Sequence, residues 1–157
     1  MKKNNIRYMG GIISNSSTVD QMSQALSVFN VIDQIDVDLK AKELNKVNLD
    51  SVEKIPVPIN FQVISMWKRN NLSDENKSVN SKLHIEFVDP IGEKLNETTF
   101  DLPIAEGKKR TRYILNVNGM FVTRTGEYLV QFREMFSKDE KSEVLGTLIL
   151  DVVVNKS

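Results

Sequence analysis

The sequence predicts an all-β, mainly antiparallel fold: an immunoglobulin-like β-sandwich of about seven or eight strands with one short N-terminal helix. Three observations carry this. Apolar residues recur with a period of two in separate segments, among them Gln34 to Leu39, Ile55 to Val63 and Tyr113 to Val117, as half-buried strands require. Turn-forming residues punctuate those segments at short intervals, and long helical periods are missing. A small barrel is the alternative architecture. Residues 1–17 read as an N-terminal arm or first strand, and 18–157 as a single sandwich domain.

Taken in order, Tyr8-Met9 and Ile12-Ile13 flank Gly10-Gly11, the pattern of a strand with a bulge or of a loosely held arm. Ser17 or Thr18 can cap a short helix, with Val19, Met22 and Leu26 on one face and Asp20 in the first turn. Leu26 to Ile32 reads as a buried strand, apolar on both faces apart from Ser27 and Asn30. Gln34 to Leu39 alternates cleanly. Residues 40–54 form a polar connection with room for one helical turn. From Ile55 the inward set is Ile55, Val57, Ile59, Phe61 and Val63, and Trp67 keeps that face beyond an interruption at Ser65. Pro56 and Pro58 cannot donate to a ladder, so this half lies on an edge or before pairing begins. Residues 68–81 are a hydrophilic loop, long for a compact domain.

Leu83, Ile85 and Phe87 point inward from the next strand. Asp89-Pro90-Ile91-Gly92 is a type I turn signature, and Lys94 to Leu102 returns as the hairpin partner. After the basic run Lys108-Lys109-Arg110, the segment around which the chain is organised begins. Tyr113, Leu115 and Val117 form one face of a strand, Asn118-Gly119 supplies a turn dipeptide, Arg124 to Glu127 turns the chain again, and Tyr128, Val130 and Phe132 resume the period of two. A polar loop at 136–143 leads to Val144–Val154, apolar enough for a closing strand in mid-sheet.

The chain has 157 residues, enough for one domain that buries its own core. Lys plus Arg and Asp plus Glu both number 21, so no global charge favours nucleic acid or an anionic membrane. Cysteine is absent, which removes disulfides, thiolate metal sites and cysteine nucleophiles. The basic start lacks an apolar signal-peptide stretch, and no window resembles a spanning helix, so the expected compartment is the cytoplasm. The richness in Asn and Lys matches a low-GC coding background and points to a bacterium or its phage.

The run Leu26 to Ile35, the Pro-bearing strand Ile55 to Val63, the turn segment LHIEFVDPIGEKL, the run LNVNGMFVTRTGEYLVQF and the closing LGTLILDVVV together resemble a family of small bacterial proteins known as a domain of unknown function. The resemblance covers about residues 18–154 and implies a β-sandwich without a catalytic residue to carry over. Asn30 departs from it, standing where the family pattern has glycine.

His84 is the sole histidine, on the outward face of its strand, with no partner in its neighbourhood that marks a catalytic base. Asp33, Asp36 and Asp38 lack the glycine and terminal glutamate of a calcium loop and read as a solvated face. Lys108, Lys109, Arg110 and Arg112, beside Tyr113, form the dense basic stretch; without aromatic platforms it reads as a charged loop guarding a strand edge. Trp67 reads first as core and second as an exposed anchor for a partner. No phosphate-cradling glycine loop or nucleophile elbow is present. The expectation is therefore a non-enzymatic protein-binding or assembly module, without cofactor or metal, whose partner is a protein or a second copy and neither nucleic acid nor membrane. Trp67, Lys108, Lys109, Arg110 and Arg112 are the candidate contacts. The alternative is a small-ligand or glycan-binding sandwich with Trp67 and Tyr113 as platforms.

Overall fold

A computed structural model describes residues 2–39, 54–70 and 76–156, and these form ten strands. They are β1 (Ile6–Val19), β2 (Leu26–Val31), β3 (Gln34–Leu39), β4 (Ile55–Arg69), β5 (Val79–Val88), β6 (Lys94–Ile104), β7 (Arg110–Val122), β8 (Gly126–Ser137), β9 (Glu140–Lys141) and β10 (Gly146–Lys156). Two sheets face each other: β2-β1-β4-β7, and β3-β10-β8-β5-β6 with β9 appended to β8. All pairs are antiparallel except β3 with β10. The last four main strands of the second sheet keep the neighbour order of an immunoglobulin G-F-C-C′ sheet, β4 and β7 take the B and E places opposite, and the fold is an immunoglobulin-like sandwich.

The corner between β7 and β8 supplies a second hallmark. Tyr128 sits near the start of β8 and donates its hydroxyl to Arg124 O at 2.6 Å while accepting from the amides of Thr123 and Arg124 at 2.9 and 3.1 Å. This is the tyrosine corner of such sandwiches, and the half-cystine expected two residues on is replaced by buried Val130. Thr123 Oγ1 donates to Asp89 Oδ2 at 2.8 Å. Asp89 Oδ1 accepts from the amides of Ile91 and Glu93, so one buried carboxylate ties the β5–β6 turn to the β7–β8 corner.

Four expectations need correction. No helix follows Ser17: β1 runs on to Val19, across the boundary drawn at 17/18, and Asp20 accepts from the amides of Met22 and Ser23 to close a hairpin turn instead of a helical one. β2 is no buried strand but the outer edge of its sheet, with Phe29 and Val31 exposed; its apolar run reflects strand propensity rather than burial. Asn30 there has φ 53°, a conformation asparagine tolerates. Asn118-Gly119 makes no turn. β7 passes straight through, with Gly119 at φ 91° opposite a bulge at Pro58-Ile59, where the missing proline donor makes a ladder irregularity cheap. Lastly, the strand before the polar loop continues two residues past Trp67, to Arg69.

The prolines behave as their chemistry requires. β1 reaches β4 only as far as Gln62, so Pro56 and Pro58 lie on a stretch paired on one side alone. The connection expected at 40–54, with its possible helical turn, lies outside the described residues except for Lys54, as do residues 71–75 of the loop expected at 68–81. Among the described residues no helix is long and apolar enough to cross a membrane.

Replacing Tyr128 with Phe keeps the core ring and removes the hydroxyl, leaving the buried Thr123 amide without a partner. Urea denaturation should show a loss of about 2 kcal/mol; a loss below about 0.5 kcal/mol would mean the phenol does not hold the corner.

Candidate functional site

The outer face of the four-stranded sheet is assembled by register. Arg7 lies beside Lys68 and Lys68 beside Arg110; the next row joins Met66 to Arg112; the next, Ile12 to Ile64 to Ile114; then Ser14 to Gln62 to Asn116. On the β2 side Val31 and Phe29 extend it. No aspartate or glutamate holds an outward position in these four strands. At the cationic end a groove of about 660 Å³ is lined by Met9, Met66, Lys108, Arg110, Arg112 and Ile104, among others. Met9 is the extra residue of the β1 bulge between Tyr8 and Gly10.

Buried Arg69 positions the basic loop. Its guanidinium donates to Lys108 O (2.7 Å), Lys77 O (2.8 Å) and Ala105 O (3.0 Å), and its amide donates to Lys109 O. Five fixed donors suit such convergent carbonyls, and removing them would leave buried carbonyls unpaired. Arg112 also donates to Gln24 O, pinning the β1–β2 turn against the groove. The structure thus brings Lys108, Arg110 and Arg112 to one groove, and Lys109 stands in the same loop.

Trp67 also lines the groove, yet it offers no exposed surface there. Its ring is 0% exposed, packed edge-on against Tyr8 and Phe132, with Nε1 donating to Ser65 Oγ at 2.8 Å. The Ser65 interruption is therefore the partner of the indole. Tyr113 points inward and lies tilted on Phe100. The Trp67 ring thus has no face open to a glycan, and the Tyr113 ring is half-buried.

His84 is a second correction. It faces outward, yet neighbours across the strands leave it 4% exposed. Nδ1 lies 2.8 Å from Thr99 Oγ1, and Nε2 lies 3.1 Å from both Glu86 Oε1 and Glu97 Oε2. These three ligand atoms stand within 4.8 Å of one another, a set that can in principle hold a divalent metal. The surrounding charge fits poorly. Lys141 Nζ is 3.0 Å from Glu86 and 3.8 Å from Glu97, Lys94 Nζ is 2.9 Å from Glu97, and Arg133 adjoins Glu86. A dication would have to displace ammonium groups that already neutralise both carboxylates, so the cluster is an ion-pair network across β5, β6 and β9. Burial by itself would push the Glu86 carboxyl up; the hydrogen bond and charge of Lys141, with Arg133 and His84, outweigh it and hold the group below the usual glutamate range. Asp36 and Asp38 sit exposed on the edge strand β3, Asp36 accepting from Gln34.

Sequence reasoning missed Arg69, Glu134 and the His84 partners. Glu134 is buried, accepting from Ser81 Oγ and from the amide and side chain of Asn5. The signal was the period of two itself, which carries Arg69 inward after Trp67 and Glu134 inward after Phe132.

No family model matches the sequence, and no curated protein matches it. Among solved structures, an immunoglobulin-like protein from Pseudomonas aeruginosa is similar at 10% identity over 96% of this chain and 98% of that chain, with a TM-score of 0.38. The fold assignment here rests on strand order and the tyrosine corner.

Two measurements check this geometry. The single tryptophan should emit at short wavelength and resist acrylamide quenching; a red-shifted, readily quenched signal would contradict its burial. K141A should cost about 0.5–1 kcal/mol at pH 7. Because a carboxyl held low adds stability only while ionised, the penalty should fade as pH drops below the ordinary value of 4.5 and through the lowered one. An equal penalty in acid would assign it to packing of the lysine stem.

Proposed function

We propose that this protein is a non-enzymatic protein-binding or assembly module that docks an acidic, partly apolar protein surface on the outer face of its four-stranded sheet. One observation carries the reading: Arg7, Lys68, Arg110 and Arg112 adjoin exposed Met66 and half-buried Ile12 and Ile114, which flank the buried Ile64, on four strands without any carboxylate, in a chain whose formal net charge is zero. Single exposed ion pairs contribute only about 0.2–1 kcal/mol. Affinity must then come from the exposed apolar side chains Met9, Met66, Phe29 and Val31 with the half-buried Ile12 and Ile114, while the cations select partners and speed encounter. Exposed Met66 suits an adaptable contact. The expectation of a bacterial or phage protein acting in the cytoplasm stands beside this reading.

A second reading, a small anionic ligand, draws support from the groove, whose volume falls in the usual range for ligand sites of about 300–1,000 Å³. Parent protein and the double variant K68E/R110E, used as baits in host lysate with mass spectrometry, separate these. A protein partner whose retention falls at least about tenfold in the variant supports the docking face. Equal retention by both baits contradicts it, and co-purification of a small anion without protein favours the second reading.

A further inference from the structure

The acidic complement of the cationic face lies on the same molecule. On the outer surface of the second sheet, Asp36 and Asp38 of β3, Asp151 of β10 and Glu127 of β8 share one corner, all exposed. Asp151 lies between Gln34 and Glu127, Asp36 lies beside Val153, and the adjoining row pairs Ile149 with Leu129. Ile149 is 54% exposed. Outward positions of β3 and β10 carry no lysine or arginine, and none of the four carboxylates forms an ion pair among the described residues. The same holds for Arg7, Lys68, Arg110 and Arg112 on the other sheet.

The two outer surfaces thus share one plan with opposite sign: an unpaired charged patch beside an apolar row. Like-sign clustering without internal pairing is a cost in self-repulsion that a neutral chain of 21 cationic and 21 anionic residues need not bear. A contact between the two surfaces offsets it. They lie on opposite outer faces of the sandwich, so no single chain can bring its own pair together.

We infer that the occupant of the cationic face is a second copy of this chain, presenting its acidic corner, so that copies stack sheet to sheet, head to tail. This deepens the docking-face reading and rests on it. Because the two surfaces differ, the contact is heterologous: each pair leaves one surface of each kind open, and growth continues into a short chain or closes as a ring. Four strands about 4.8 Å apart and four rows about 6.6 Å apart give a face of roughly 300–500 Å² in plane. That is below the about 800 Å² per partner of a standard stable interface, so the association is weak and strongly salt-dependent.

Sedimentation velocity on the purified full chain tests this. Parent protein should show concentration-dependent association in about 0.1 M salt and lose it near 1 M, as the screening length falls from roughly 10 Å to 3 Å. K68E/R110E and D36K/D38K each reverse one surface, and each should be monomeric alone. Their equimolar mixture should reassociate, because each supplies the surface the other lacks and the two reversed surfaces also match. Native Trp67 fluorescence confirms that both variants are folded. A parent that stays monomeric at low salt overturns the inference. So does association that survives either double variant, or a mixture of folded variants that stays monomeric. A monomeric parent whose lysate partner is still lost in K68E/R110E leaves the docking face standing with another occupant; a monomeric parent and an unaffected partner remove both.

Discussion

The sandwich depends on one contact across its two layers. The Trp67 ring of β4 meets Tyr8 of β1 at 5.3 Å between centroids and Phe132 of β8 at 5.8 Å, and Tyr8 stacks on Phe132 at 5.5 Å. Aromatic burial of this kind gives the largest apolar contribution per residue, and the edge-on geometry fixes ring orientation as well. Tyr8 can lie there because β10 offers Gly146, where a Cβ would stand 2.3 Å from its ring. The Ser65 hydroxyl satisfies the indole N–H, so the cluster holds no orphaned donor. Orienting Trp67 inward also orients Met66 and Lys68 outward, so the proposed docking face is the reverse side of the core.

Around that cluster, buried polar residues hold the loops. Arg69 collects two carbonyls from the loop that carries Lys108 and a third, Lys77 O, from the segment before β5, and Glu134 anchors the start of β1 through Asn5. Asp89 and Tyr128 close the far end. Each is saturated by backbone or side-chain partners, as burial of such groups demands. The sheets set the shape, and these residues set where the chain crosses between sheets.

The strands of the sandwich were legible wherever apolar and polar residues alternated, as in β3 and β4, and the Asp89-Pro90-Ile91-Gly92 turn was legible from steric rules alone. Reading failed where identity was taken for exposure. The apolar β2 is an exposed edge, while Arg69, Glu134, His84 and Glu86 are buried in strands; alternation specifies which face a side chain takes, not whether neighbours cover it. Asp20 favoured a helix start on sequence, yet the same side-chain acceptor closes a hairpin when strands flank it. Of the site, Lys108, Arg110 and Arg112 stood out as a run. Arg7, Lys68 and Met66 did not, because only the β1–β4–β7 register brings them alongside. The zero net charge concealed the segregation of sign between the two outer surfaces for the same reason.

The central claim is that the outer face of the four-stranded sheet is occupied when the protein works. Methionine oxidation reads this directly, since Met9 and Met66 lie on that face with 42% and 43% exposure, while Met22 stands at the β1–β2 turn with 95%. Oxidation rates should be compared between dilute purified protein and protein in host lysate, Met22 serving as internal reference. The account predicts that Met9 and Met66 are protected in lysate and Met22 is not. Unchanged rates at Met9 and Met66 would contradict it.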